Sequence, residues 1–268
     1  MRILRMAGSP AALCVWAVCL CIGFSIASSN ASRTIVFKQD NKFGNAKASF
    51  PIQMKRMDEA VFNMLTARAK TEMAEFLKSA EQDANAKPID EESSGKPYTE
   101  AVTYLEQFRT PALVSYLEVS LVTQGEAQTV TGFRTVNFDK AAGKELSLSD
   151  IIEGAADRSK ALEALASYAR ADLKEETSEE EESETLLDLT KPDLGVYERF
   201  TLCPSTKIGK AAGLTIHFPP ALSGPYAGSD FHVTIPYTVF AKFLKPGMKP
   251  LFAGEPRATE VSLQDIES

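Results

Sequence analysis

The chain has 268 residues, 44% of them hydrophobic, and a formal charge of −7 from 29 Lys and Arg against 36 Asp and Glu. That length and apolar content suffice for one large globular domain or two small ones. The acidic balance argues against nucleic acid as a partner and suits a soluble protein that meets basic partners.

Arg2 and Arg5 precede an apolar run from Ala11 to Ile26, and Ala27, Ser28, Ser29 and Ala31 supply small-residue cleavage positions. A signal peptide over residues 1–29 is expected. At about 16 residues the run falls short of the ~20 that a spanning helix needs, so no membrane span is expected after cleavage. The mature chain is then periplasmic or secreted. Cys14, Cys19 and Cys21 all lie in that run, and neither Cys19 nor Cys21 follows a small residue, as lipid attachment would require. Cys203 is left alone, so the fold is expected to rely on its core rather than on a disulfide.

Two extended stretches, "TIVFKQ" and "AKASFPI", come first. Val61, Phe62, Leu65, Ala69, Met73, Phe76, Leu77 and Ala80 then recur at three- and four-residue steps, which predicts one amphipathic helix over 58–83 with Asp58 as its N-cap. "ANAKPIDEESSGKPYT" reads as a loop. "AVTYLEQFRT", "ALVSYLEVSLVTQG" and "AQTVTGFRTVNFD" read as three strands of an antiparallel meander.

In the last of these, Phe133, Thr135 and Asn137 point one way and Arg134, Val136 and Phe138 the other. Gly143 supplies the turn, "ELSLS" is the expected return strand, and Ser149 is the expected cap of a short helix. A second helix from about Asp157 carries Leu162, Leu165, Tyr168, Ala169 and Leu173. It runs into the acidic stretch Glu175 to Glu184, read as a solvated helix end or insertion. "VYERFTLC", "GLTIHF" and "DFHVTIPY" are the remaining expected strands, the first two joined by "PSTKIGKAA". Pro236 starts a final short helix, and residues 251–268 are expected to form a loose tail.

Residues 213–246, "GLTIHFPPALSGPYAGSDFHVTIPYTVFAKFLKP", resemble the domain of unknown function in the extracellular region of RsiV-type anti-sigma factors. The resemblance rests on the strand ending in Phe218, the loop Gly224-Pro225-Tyr226-Ala227-Gly228, and Val233-Thr234-Ile235-Pro236-Tyr237. The hairpin with Asp139, Gly143, Lys144, Leu146, Leu148 and Asp150 is similar as well. The helix after "FPI" resembles the region that precedes this domain in PdaC-type peptidoglycan deacetylases. Where relatives carry a Gly-Gly-Ala-His-type sequence, this chain has "QGEAQTVTG", with Gln128 and no histidine. The resemblance implies a PdaC-associated-like region over 30–95 and an RsiV-like domain over 96–250. It further implies an envelope protein that recognises a lysozyme-like protein or peptidoglycan and lacks a deacetylase domain.

His217 and His232, with Asp230 nearby, lack metal-ligand spacing and read as ordinary strand histidines, so no metal or cofactor is expected. Cys203 sits between Leu202 and Pro204, where a buried inert thiol is the usual case. Asp139, Glu145 and Asp150 fit turn and cap chemistry. The acidic stretch has no Gly for a calcium loop. Tyr226, framed by Pro225 and Gly228, is the candidate binding surface, set against a loop that only joins two strands.

The reading is therefore an α+β protein with a mainly antiparallel sheet, packed by one long amphipathic helix and a second helical element. Its expected role is that of an exported, non-catalytic binding or sensor module with no catalytic residues. The alternatives are a cell-wall glycan hydrolase using paired carboxylates and a structural envelope protein.

Overall fold

The computed structural model describes residues 34–86, 96–125, 127, 129–177, 184–218 and 231–257. The signal segment expected at 1–29 lies outside them. Strand β1 (Thr34–Asp40) alternates exposed and half-buried positions. It turns at Asn41, whose Oδ1 accepts the backbone N–H groups of Phe43 and Gly44 at 2.9 Å each. This side-chain turn leads into β2 (Gly44–Pro51), antiparallel to β1.

A short α1 (Ile52–Met57) and a long α2 (Glu59–Ala86) follow. The apolar stripe read from the sequence is the buried face of α2, from Val61 through Leu65, Ala69 and Met73 to Ala80. The start differs from expectation. Asp58 is the break between two helices, with φ −140° and ψ 56°, and its carboxylate is turned to the sheet. There two cations and a phenol compete for it, Arg109 and Tyr116 on one oxygen and Lys140 Nζ at 3.1 Å from the other. A buried carboxylate is held by charged partners more strongly than by a backbone N–H that water also satisfies.

Strand β3 (Tyr98–Arg109) lies parallel to β2, the arrangement that a helical crossover permits. β4 (Leu113–Thr123), β5 (Val130–Asp139) and β6 (Lys144–Glu145) complete a meander, so the sheet order is β1-β2-β3-β4-β5-β6. The α+β class with a mainly antiparallel sheet and a long helix is the one read from the sequence.

At the hairpin, Asp139 Oδ1 accepts the N–H groups of Ala141 and Ala142 at 2.9 Å, and Gly143 takes φ 66°. That positive φ favours a residue without Cβ. The expected return strand stops after Glu145. Ser147, not Ser149, caps α3 (Leu148–Ile151), because Ser147 and Asp150 satisfy each other's backbone N–H in a capping box.

Next come α4 (Lys160–Thr177), α5 (Glu184–Leu189) and α6 (Leu194–Tyr197). The strand expected to begin at Val196 begins only at Phe200. Asp193 accepts the N–H of Gly195 at 2.9 Å and opens a helical turn, and the buried Tyr197 hydroxyl donates to the Thr190 carbonyl at 3.2 Å. β7 (Phe200–Pro204), β8 (Ala211–Phe218) and β9 (Phe231–Pro236) form a second, antiparallel sheet. α7 (Tyr237–Phe240) starts behind Pro236 as predicted. The stretch expected to be loose from 251 is held down through Arg257. Phe252 is buried there, Ala253 N–H donates to the Ala211 carbonyl at 3.0 Å, and Arg257 N–H donates to that of Pro204 at 3.0 Å.

Two cores result. One lies between α2 and the six-stranded sheet, with Phe50 and Tyr104 stacked at 4.5 Å between ring centres. The other joins α3, α4 and α7 to the three-stranded sheet. Strand β7 runs against β3, β4 and β5. Its outward backbone groups are met by two buried side chains: Asn137 Nδ2 donates to the Phe200 carbonyl at 2.7 Å, and Leu202 N–H donates to Ser115 Oγ at 3.1 Å. Ser115 in turn donates to Asn137 Oδ1 at 2.6 Å. An edge strand that would otherwise present unpaired groups is closed by this pair.

Candidate functional site

An open groove of about 380 Å³ lies between the end of β3 and the loop joining β7 to β8. It owes its first wall to a β-bulge between Glu106 and Phe108, a device that re-aims side chains at sheet margins. At the bulge Phe108 enters the core while Gln107 lines the groove. Gln107 is 7% exposed and its Nε2 has no hydrogen-bond partner among the described residues. An unpaired amide donor buried in that position costs free energy.

The second wall is the segment Pro204–Lys210. Thr206 N–H donates to the Glu255 carbonyl at 2.9 Å, Glu255 N–H donates to Thr206 Oγ1 at 3.0 Å, and Lys207 N–H donates to Ser205 Oγ at 3.0 Å. Gly209 takes φ 72° at the turn, with Ile208 fully exposed beside it. These bonds tie the wall to the segment around Glu255.

Charge is concentrated here. Lys207, Lys210 and Arg257 line the groove, and none forms an ion pair among the described residues. Lys210 Nζ donates to the Pro250 carbonyl at 2.6 Å, which holds its stem across the floor. Arg109 also lines it but is already committed. Burial disfavours its charge, yet the hydrogen bonds it donates to Glu106 and Asp58 overcome this and raise its pKa above the usual arginine value. An otherwise acidic chain thus presents a cationic groove.

A second polar cluster lies under α2. Arg134 forms paired hydrogen bonds with Glu72 at 2.8 Å and also binds Glu118 at 2.7–3.0 Å. Those bonds, led by Glu72, raise the Arg134 pKa against the opposing effect of burial. Glu100 beside them is pushed up to about 7, first by burial and then by the charges of Glu72 and Glu118. Burial, followed by the Glu118 charge, also raises the Tyr104 phenol. None of these residues lines the groove.

The sequence candidates fare differently. Tyr226, Pro225 and Gly228 lie outside the described residues, as do Gln128, Asp230 and residues 178–183 of the acidic stretch. His217 and His232 are cross-strand partners with ring centres 6.3 Å apart. His217 is held neutral well below the usual histidine range, at about 3, by burial and then by His232, and its Nε2 lies 3.0 Å from Thr201 Oγ1. Among the described residues no group of three His, Cys, Asp or Glu is placed to hold a metal ion, and no helix is long and apolar enough to cross a membrane.

Cys203 is buried, and burial raises its pKa. Asp139 and Asp150 serve the turn and cap as read. Lys144 and the Ser147 cap hold Asp150 down at about 2. Glu145 instead pairs with Arg68 of α2. The groove itself was not read from the sequence. Its signal was Lys207 and Lys210 flanking Ile208-Gly209 in a short strand connection, together with a glutamine inside a strand that is otherwise committed to the core.

No family model and no curated protein matches the chain. Solved structures resemble it. One is a member of the DUF3298 family from Bacteroides fragilis, 15% identical with a TM-score of 0.47, covering 79% of this chain and 92% of that one. Another is a DUF3298 family protein from Pseudomonas aeruginosa, 15% identical with a TM-score of 0.43, covering 84% of this chain and 95% of that one. Both neighbours belong to a family of unknown function. At these TM-scores neither likeness carries an argument about the groove.

Proposed function

We propose that the chain is an exported, non-catalytic binding module of the cell envelope, periplasmic or secreted, that recognises peptidoglycan or fragments of it. The observation that carries this reading is the cationic groove lined by Lys207, Lys210 and Arg257. Such a groove suits a polar anionic ligand, and it contains one carboxylate, Glu106, which is held by Arg109. A retaining or inverting glycosidase needs two carboxyl groups facing the sugar. The resemblance of residues 213–246 to the RsiV-type extracellular domain supports an envelope setting. A formal charge of −7 favours a second reading, a cationic lysozyme-like protein as partner through the acidic surface outside the groove.

The mature chain incubated with purified peptidoglycan sacculi should sediment with them and release no soluble fragments. Fragment release would transfer the assignment to the glycan hydrolase. Lysozyme binding that weakens with salt, without retention on sacculi, would favour the second reading. Binding to neither would leave a structural envelope protein.

A further inference from the structure

We propose that the β7–β8 loop and the adjoining turn at Lys249–Leu251 form a docking surface for an anionic phospholipid bilayer. Ile208 enters the boundary between headgroups and acyl chains, and Lys207, Lys210, Lys249 and Arg257 meet the headgroups. The inference goes beyond the binding-module reading and does not depend on what the groove takes. Charge is spread unevenly along the chain. From Arg199 to Arg257 the sequence carries seven Lys and Arg against two Asp and Glu, in a chain whose total is −7. The fold gathers four of those cations. Lys210 Nζ donates to the Pro250 carbonyl at 2.6 Å, which sets the loop beside Lys249. Arg257 N–H donates to the Pro204 carbonyl at 3.0 Å at the start of the loop. Lys207, Lys249 and Arg257 are exposed, and none of the four is in an ion pair among the described residues. Glu255 is the one acid in these two segments.

Ile208 separates a lipid surface from a soluble anion. Lys210 N–H donates to the Lys207 carbonyl at 3.2 Å and Gly209 takes φ 72°, the pattern of a type II turn with Ile208 at its outer corner. Five large apolar side chains are exposed among the described residues, four of them at 41–66%, whereas Ile208 is at 101% and touches nothing of the body. Single half-exposed aliphatics are ordinary on a protein surface. One held wholly in water at the tip of a tight turn, with lysines on both sides, has the form of an interfacial anchor, where apolar insertion and attraction to anionic lipid add together. A soluble ligand needs donors that converge on it. A bilayer offers headgroups across a plane, so separate, flexible ammonium groups each find one while their stems lie along the apolar boundary.

The test uses the mature chain, which keeps the whole described fold, and vesicles of phosphatidylcholine with or without about 30% phosphatidylglycerol. The sequence has one tryptophan, Trp16 in the expected signal segment, so Ile208→Trp places a sole tryptophan reporter at the tip. Its emission should shift to the blue on adding the anionic vesicles and stay unchanged with phosphatidylcholine alone. In cosedimentation the parent should bind anionic vesicles at least tenfold tighter than neutral ones. Ile208→Ser, which keeps every charge, should lose at least fivefold, and K207E combined with K249E at least tenfold, with thermal midpoints unchanged. Equal binding to both vesicles, no binding to either, or Ile208→Ser binding as the parent does overturns the inference, the last because it marks a surface that attracts any polyanion. Retention on sacculi without retention on anionic vesicles leaves the peptidoglycan reading standing and removes this one. Retention on anionic vesicles without retention on sacculi does the reverse.

Discussion

Asn137 ties the two sheets together by donating from Nδ2 to the Phe200 carbonyl at 2.7 Å. The bond lies in a fully buried seam, where Ser115 accepts from the Leu202 backbone and donates to Asn137. Removing either side chain leaves an edge group of β7 without a partner or water. Asn137→Ala and Ser115→Ala should each destabilise the fold by roughly 1–3 kcal/mol. In a double-mutant cycle the two should be non-additive, because they share a hydrogen bond. Additive losses in urea denaturation would mean that the seam is not a coupled unit.

Asp58 is the next place where one atom carries much of the architecture. Its side chain is fully buried, yet it faces both Arg109 and Lys140, whose side chains are 15% and 20% exposed. Asp58→Ala leaves two largely buried cations facing each other with only Glu106 to compensate. The expected loss is roughly 3 kcal/mol, at the low end for a broken buried pair because Glu106 still binds Arg109. Adding Arg109→Met to Asp58→Leu should recover part of it, since it removes the more buried of the two stranded cations and leaves only Lys140, 20% exposed. The urea midpoints of the single and double variants decide the matter, and a double variant as unstable as the sum of the singles would refute the account.

Stability should respond to pH through Glu100. Burial first, then neighbouring carboxylates, push its folded pKa up to about 7, above the ordinary 4.5, so the folded state binds this proton more tightly than the unfolded chain. The contribution is fully present below about pH 4.5 and is lost as pH rises to about 7. Burial sets this first, then the charges of Glu72 on α2 and Glu118 on β4, with Arg134 on β5 opposing them. Glu100→Gln mimics the protonated form, so it should leave stability nearly unchanged at pH 4.5 and raise it at pH 8. His217 acts in the opposite sense. With its pKa lowered to about 3, it makes the fold less stable as pH falls from 6.5 toward 3. A gap between Glu100→Gln and the parent that does not change with pH would remove Glu100 as the cause.

Much of this architecture was readable where one physical signal dominated. The stripe from Val61 to Ala80 could only serve a helix, and the alternation across β3 to β5 could only serve a sheet. The sites were less readable because they depend on what meets across sequence. Asp58 has the pattern of an N-cap, and nothing local announces that Arg109, 51 positions away, will claim its carboxylate. Gln107 looks like an ordinary strand residue until a bulge, set by pairing with β4, turns it into the groove. "VYERFTLC" has strand propensity throughout, but Asp193 and the buried Tyr197 hydroxyl commit its first residues to a helical turn.

The cap of α3 shows the same competition on a smaller scale and can be tested by a pair of substitutions. Ser147 and Ser149 are two residues apart, and both precede apolar residues suited to a helix. Only Ser147 has an acidic residue three positions on, Asp150, which returns a bond to the Ser147 N–H at 3.0 Å while Lys144 Nζ steadies it at 2.7 Å. Ser149 makes only a long bond to the Ala155 carbonyl at 3.4 Å. Ser147→Ala should therefore cost about 1 kcal/mol, and Ser149→Ala much less. Because Asp150 is held down at about 2 chiefly by Lys144 and then by the Ser147 cap, Ser147→Ala should also raise the Asp150 titration midpoint measured by NMR. Equal losses at Ser147 and Ser149, with an unmoved Asp150, would return the cap to Ser149.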